Sequence, residues 1–409
     1  MANIYKVFPA LLFFISLTIS GLCQSTAESN ESTSLKQDDQ KATTISGYGE
    51  FRIRYDLRYK TGDANLTRTV LFVGHRFSQK VSLVSELELE DGRIEGGEAG
   101  GELNMEQLYL KFNLNKNQYI NAGLFIPRIG IINENHLPNT YSGNERPYTE
   151  TLVIPSTWRE IGIGWYGSSD HFQGLTWSLS VMNGLNASAF ENETGIRDGR
   201  QGGRMATATN MAVTGSLLYN SGNIRTGISG YYGGSTGISQ READSLLLDN
   251  GPFGTPVILG EANFTYTTPV VSFKILATAV SIPDAQKLNR AYANNTAELI
   301  YGGYAEASID LLKCIKPESA KKLDCFIRAE LINLNAKIPD NGISNEVNEK
   351  SIFIGGLQYF PTEGVVIKAD YTLRNTGAPN PSLVINPYPN SLPYYKSNGF
   401  FSVGAGYSF

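Results

Sequence analysis

The sequence predicts an all-β protein, a transmembrane antiparallel β-barrel of about 16 strands spanning residues 44–409. Three observations carry that prediction. Apolar and polar side chains alternate with a period of two through sixteen separate runs. The connections between runs alternate between tight and long. Charged residues make up only 18%, while 42 glycines and 22 tyrosines enrich the chain; an average soluble protein has roughly a quarter charged residues and ~7% glycine. An aromatic share of 11% excludes disorder, and three cysteines exclude a disulfide-built scaffold.

At the N-terminus, Lys6 precedes an uncharged apolar run from Val7 to Leu22, too short to cross a bilayer comfortably. Gly21 and Cys23 occupy the small-residue places before Gln24, so residues 1–23 are expected to be a secretory signal peptide. Residues 24–43 are rich in Ser, Asn, Glu and Gln and are expected to form a mobile periplasmic segment. A formal net charge of −5 gives no attraction for nucleic acid.

The first run, 44–57, sets Phe51, Ile53, Tyr55 and Leu57 on one face against Glu50, Arg52, Arg54 and Asp56 on the other. Charges at every second place fit a half-polar strand and not a helix. Runs at 65–77, 80–91, 103–114 and 117–126 follow. Within 80–91, Val81, Leu83, Leu87 and Leu89 oppose Glu86, Glu88 and Glu90. Further runs lie at 158–167, 172–183, 206–219, 223–233, 258–267, 269–281, 294–310, 321–335 and 350–360. In 363–374, Val365, Ile367, Ala369, Tyr371 and Leu373 oppose Lys368, Asp370, Thr372 and Arg374. The last run, 398–409, ends on Phe409.

Ser78–Gln79, Asn115–Lys116, Ser168–His171, Asn220–Gly222, Thr268 and Pro361–Thr362 make tight turns. The links 127–157, 184–205, 234–257, 282–293, 336–349 and 375–397 are long and rich in Gly, Asn and Pro; those at 58–64 and 92–102 are modest. In a bilayer every backbone N–H and C=O must be bonded, so a membrane sheet closes on itself. Such barrels have short periplasmic turns, long outer loops and an even strand count, which places both chain ends on the periplasmic side. A soluble sandwich requires neither strands of this length nor segregated loop lengths. The apolar face is then expected to meet outer-membrane lipid.

By the same parity, Arg52, Arg54, Glu86, Glu88, Glu90, Arg225, Lys274, Arg328, Lys368, Asp370 and Arg374 point inward as pore lining. Successive carboxylates on one strand face stand ~6.6–7 Å apart. No catalytic, cofactor or metal site is expected. Gly162–Gly167 matches the spacing of a dinucleotide fingerprint but lies within a strand, with no helix after it to receive a phosphate. His75, His136 and His171 are dispersed without ligand spacing. Cys314 and Cys325 flank the one stretched short-side turn, 311–320, and are expected to pair as a disulfide in an oxidising compartment.

The ending Phe-Phe-Ser-Val-Gly-Ala-Gly-Tyr-Ser-Phe409 resembles the C-terminal signal by which Gram-negative outer-membrane proteins engage the barrel-insertion machinery. Gly123–Gly130, His136–Pro138, Glu145–Pro147 and Ile154–Glu160 resemble bacterial general porins near the phosphate-selective porin group. The resemblance implies a sixteen-stranded, usually trimeric, water-filled channel in the bacterial outer membrane that passes small hydrophilic solutes or ions. Phosphate-selective members line their pores with Arg and Lys ladders, whereas acids and bases alternate here.

Pro127–Thr157 is the third long-side link, which resembles in position the inward-folded, pore-narrowing loop of that group. Its Ile129, Ile131, Ile132, Leu137, Leu152, Val153 and Ile154 are expected to pack on the wall. Its Arg128, Glu134, His136, Glu145, Arg146 and Glu150 are expected to face water. Arg128, His136, Glu145, Arg146 and Glu150 are the constriction candidates, with Arg146 and Glu150 at the narrowest point and Arg128 anchoring the start. The alternative is a barrel with a closed lumen that acts through its long loops in adhesion or nutrient capture. A TonB-dependent transporter is excluded, because residues 24–43 have no room for a plug domain.

Overall fold

The computed structural model describes residues 42–91, 103–383 and 393–409. The expected signal peptide and nearly all of the expected mobile segment lie outside the described residues. Sixteen strands form: β1 (Ala42–Asp56), β2 (Thr61–Arg76), β3 (Val81–Glu90), β4 (Leu103–Asn113), β5 (Gln118–Phe125), β6 (Glu160–Ser168), β7 (Leu175–Asn183) and β8 (Met211–Ser221). The second half comprises β9 (Ile224–Gly233), β10 (Val257–Thr267), β11 (Val271–Ser281), β12 (Leu299–Asp310), β13 (Lys322–Lys337), β14 (Glu349–Thr362), β15 (Val365–Thr376) and β16 (Ser397–Ser408). Each predicted run carries one of them. Every strand pairs antiparallel with its sequence neighbours, and β1 pairs with β16 to close the barrel. The Gly47 N–H donates to the Phe409 carbonyl at 3.2 Å and the Phe409 N–H to Gly47 at 2.9 Å, so the seam starts on the short-turn side.

The faces are inverted relative to a soluble protein. Phe51, Ile53 and Tyr55 on β1 and Ile367 and Tyr371 on β15 are exposed, while Glu50, Lys368 and Asp370 are buried. An apolar belt outside and polar groups within is the pattern of a membrane-spanning barrel. At this strand number the interior is too wide for wall side chains alone to fill.

The alternation slips at two β-bulges, on the strands that flank β3. On β2, Glu50 pairs with Arg68 but Arg52 pairs with Asn65. On β4, Gln107 faces Glu86 and Met105 faces Leu87, which leaves Glu106 as the extra residue. The outward set accordingly changes from Leu103 and Met105 to Leu108 and Leu110, and Glu106 and Gln107 both turn inward. A bulge re-aims a side chain in this way at a small cost in pairing.

Four connections differ from expectation. The first is a four-residue turn: the Asp56 carboxylate accepts from the Arg58 and Tyr59 N–H groups, both at 2.9 Å, and β2 starts at Thr61. Short helices α1 (Gln240–Leu246) and α2 (Ala285–Tyr292) occupy two long links, and α3 (Leu311–Ile315) occupies the stretched turn. The expected Cys314–Cys325 disulfide is not formed; both cysteines are free thiols, Cys314 exposed on α3 and Cys325 on the outward face of β13 with Ile327. Asp310 holds that turn instead. Its Oδ1 caps α3 through the Leu312 and Lys313 N–H groups at 3.0 and 3.2 Å and also accepts from Leu323 N–H at 3.2 Å.

Candidate functional site

The link between β5 and β6, residues 126–159, is seated against inner-face side chains on much of the wall. Ile129, Val153, Ile154 and Trp158 are all under 1% exposed and share one apolar cluster with Leu259, Leu276, Ile300 and Ile332 from β10 to β13. Each such burial contributes ~1.5–3 kcal/mol. Ile131 and Leu152 pack at the edge of that cluster, as their apolar character predicts.

Polar straps hold the middle of the loop. Lys368 donates to the carbonyls of Tyr141 and Gly143 at 3.1 and 2.8 Å. Asp370 accepts from the Asn144 backbone and side-chain amides at 2.8 and 2.6 Å. Arg328 donates to the carbonyls of Ser142 and Glu145 at 3.0 and 3.1 Å and pairs with Glu306 and Glu330. The Ser142 hydroxyl donates to Glu306 at 2.8 Å, and Glu330 accepts from the Thr149 N–H at 2.8 Å. Tyr141 donates to Glu50. On β16 the approach is so close that a Cβ on Gly406 would lie 2.5 Å from Cβ of Pro138. At the loop's start, Arg128 donates to the Tyr119 hydroxyl at 3.2 Å and lies over the Tyr166 ring, while Glu134 pairs with Arg225.

Among the predicted pore-lining residues, the loop decides which of them meet water. Arg328, Lys368 and Asp370 are only 2–3% exposed beneath it and do not line an open surface. Lys274 is drawn to Glu306 and the Thr140 carbonyl. Glu88 is buried and pairs with Arg68 at 3.3 Å. Arg54 pairs with Asp63, and Arg374 lies over the Phe400 ring.

Two constriction candidates are not where water-facing groups would be. Glu150 is wholly buried and accepts from the Ile131 and Ile132 N–H groups, both at 2.7 Å, and from the Tyr304 hydroxyl at 2.8 Å. It pegs the two arms of the loop together, and burial pushes its carboxyl up to about 7. His136 is 8% exposed, and burial pushes its imidazole down to about 4, so it is neutral at pH 7.

Arg146 and Glu145 do line a cavity of about 470 Å³ between the loop and the inner face of β1 to β3. Glu145 pairs with Arg52 and lies 3.7 Å from Arg54. Six arginines and four carboxylates line this cavity. Arg68 is neutralised by Glu50 at 2.9 Å and by Glu88. The far rim is different. Arg197 donates to the carbonyls of Thr151 and Ser156 at 2.6 and 3.2 Å, and Arg200 to Thr157 at 2.9 Å. Arg159 stands 3.8 Å from Glu88. Burial, then the charges of Arg197 and Arg159, lower Arg200 to about 10, which leaves it charged at pH 7.

The sequence reading missed Arg197 and Arg200, which sit in a link where no period assigns a side chain to a face, and Arg159, which the predicted run 158–167 includes but which precedes β6 in the fold. It also missed Glu106, although the slip from Leu103 and Met105 to Leu108 and Leu110 is written in the sequence.

No family model matches the chain. An uncharacterised protein of Aquifex aeolicus (strain VF5) is 28% identical over 345 residues, covering 81% of this chain and 76% of that protein. Among solved structures, the chain is similar to the anion-selective porin of Comamonas acidovorans, with TM-score 0.54, 10% identity, and coverage of 90% of this chain and 100% of that one. It is similar to the outer membrane channel DcaP of Acinetobacter baumannii at TM-score 0.53 and 11% identity, covering 90% and 97%. It is also similar to in-vitro folded OmpT of Vibrio cholerae in its trimer form, at TM-score 0.52 and 10% identity, covering 91% and 100%. The fold is that of bacterial outer-membrane β-barrels.

Proposed function

We propose that the protein is an outer-membrane porin, a passive diffusion channel for small hydrophilic solutes with a bias toward anions. The observation that carries this reading is the charged cavity between wall and loop, whose far rim presents Arg197 and Arg200 bonded to carbonyl oxygens, beside Arg159, which stands 3.8 Å from Glu88. A guanidinium bonded to carbonyls keeps its charge available to a passing anion, whereas one paired to carboxylates does not. The loop 127–157 is the constriction, with Glu145 and Arg146 facing the solute path. The resemblance of residues 123–160 to porins near the phosphate-selective group belongs to this reading, without phosphate as a designated solute. We take the assembly to be a homotrimer in outer-membrane lipid, inserted through the strand that ends at Phe409.

In planar bilayers the protein should give stepwise conductance, and under a KCl gradient the reversal potential should lie on the chloride side. Replacing Arg159 and Arg200 together by Gln should lower the chloride-to-potassium permeability ratio several-fold, since each charge contributes up to about 1 kcal/mol in watery surroundings. Correctly folded protein without stepwise conductance overturns the channel reading; an unchanged ratio overturns the role of the arginine rim.

A further inference from the structure

On the wall opposite the apolar cluster, a second constellation has no part in the proposed solute path. Glu86 on β3, Glu106 on β4 and His136 on the loop bring ligand-type atoms within 4.8 Å of one another. Glu106 is the residue that the β4 bulge turns inward, and it is completely buried. His136 is more than nine-tenths buried, and neither ring nitrogen has a hydrogen-bond partner. A buried imidazole with both nitrogens unbonded costs free energy unless something else occupies them. Its Nε2 stands 3.8 Å from Oε2 of Glu106, too far for a hydrogen bond.

The surroundings orient the carboxylates as supporting groups orient metal ligands. The Tyr48 hydroxyl donates to Oε2 of Glu106 at 3.0 Å, and the Gln107 amide donates to Oε2 of Glu86 at 2.7 Å. Two carboxyl groups and an imidazole at this depth present a mixed oxygen and nitrogen donor set of the kind a divalent cation takes. The nearby guanidinium of Arg146 is turned to the His136 carbonyl at 3.2 Å. Access exists as well: Glu86 also lines a cavity of about 620 Å³ at the short-turn end, beside Tyr48 and Leu137.

We propose that Glu86, Glu106 and His136 form a binding site for a divalent transition-metal ion of the zinc class, which ties the loop to β3 and β4. One nitrogen and two carboxylate oxygens suit zinc, whose bonds to such atoms are ~2.0–2.2 Å long, with water in the fourth place. Ligand atoms around such an ion sit roughly 3.3 Å apart, so the three groups close in by about an ångström on binding. The straps from Arg328, Lys368 and Asp370 hold the loop from other strands. Metal at this site would fix the side they leave free. The binding claim stands independently of the channel reading.

The test uses the full chain refolded in detergent and stripped with a chelator. Zinc is titrated by calorimetry and cobalt by visible absorption, which reports tetrahedral coordination. One equivalent per chain is expected, with affinity falling at least ~tenfold in His136→Ala and in Glu106→Gln. Should either variant fail to show the heat-modifiable mobility of a folded barrel, Glu86→Gln, at the more accessible ligand, takes its place. A double variant of the two remaining histidines, His75→Ala and His171→Ala, should bind as the parent does. Absence of stoichiometric binding, binding that survives loss of His136 or Glu86, or binding lost with His75 and His171 overturns the site.

Discussion

Replacing Arg328 by Met should lower the stability of the refolded barrel by about 3–5 kcal/mol, the usual consequence of removing one partner from a buried ion pair. Arg328 is fully enclosed between Glu306 at 3.2 Å and Glu330 at 2.9 Å. It also satisfies the carbonyls of Ser142 and Glu145, so the same change unfastens the loop from β13. Glu306 keeps Lys274 at 3.3 Å, but no other ion pair is formed by Glu330 among the described residues. The penalty therefore centres on Glu330. The double variant Arg328→Met with Glu330→Gln should recover part of the loss, because the neutral amide oxygen can still accept from the Thr149 N–H. Urea unfolding in lipid vesicles, followed by tryptophan fluorescence, measures both. An unchanged midpoint in the single variant would show that the wall, and not this strap, carries the stability.

The sixteen strands were legible because a barrel in lipid enforces a period of two with the apolar face outward. That face is kept even where the inner one varies, as with Phe51, Ile53 and Tyr55 on β1. The pattern weakens at the two bulges. At Thr67 and Arg68, and again at Glu106 and Gln107, two consecutive residues face inward, and a strict alternation assigns one of each pair to the wrong side. Parity also says which face a side chain occupies but not what covers it. Lys368 and Asp370 point inward as their period requires, yet they bond to Gly143 and Asn144, more than two hundred residues away in sequence. For the same reason Glu150 reads in sequence as a surface charge beside Thr149 and Thr151, although in the fold its oxygens serve backbone N–H groups of the opposite loop arm. His136 is the clearest case. Dispersed among three histidines, it acquires meaning only when the bulged β4 brings Glu106 beside it.

Raising the pH from 5 to 8 should loosen residues 127–157 from their seat, and Glu150→Gln should suppress most of that dependence. Burial lifts the Glu150 carboxyl to about 7 in the seated loop, against 4.5 for a solvated glutamate. Between those two values the seated form binds a proton that the released, hydrated form does not. Seating is thus strongest below pH 4.5 and weakens as the pH climbs to about 7. A difference of this size corresponds to ~3 kcal/mol, or roughly two orders of magnitude in the opening equilibrium. Tyr304, Glu261 and Glu306 face this part of the molecule; Tyr304 donates to Glu150, and the charge on Glu261 adds to the difficulty of ionising it. The Glu145 carboxyl is also raised by burial, against the pull of Arg52 and Arg54, and contributes in the same direction. The Gln variant separates the two, since it stays neutral at every pH and retains an oxygen for the Ile131 or Ile132 N–H. Hydrogen exchange of loop peptides, corrected for the intrinsic pH dependence of the chemistry, should show protection falling from pH 5 to pH 8 in the parent and nearly level protection in Glu150→Gln. A parent loop equally protected at both values would mean that the carboxylate is accommodated charged, with the two backbone N–H groups and the tyrosine hydroxyl compensating its desolvation.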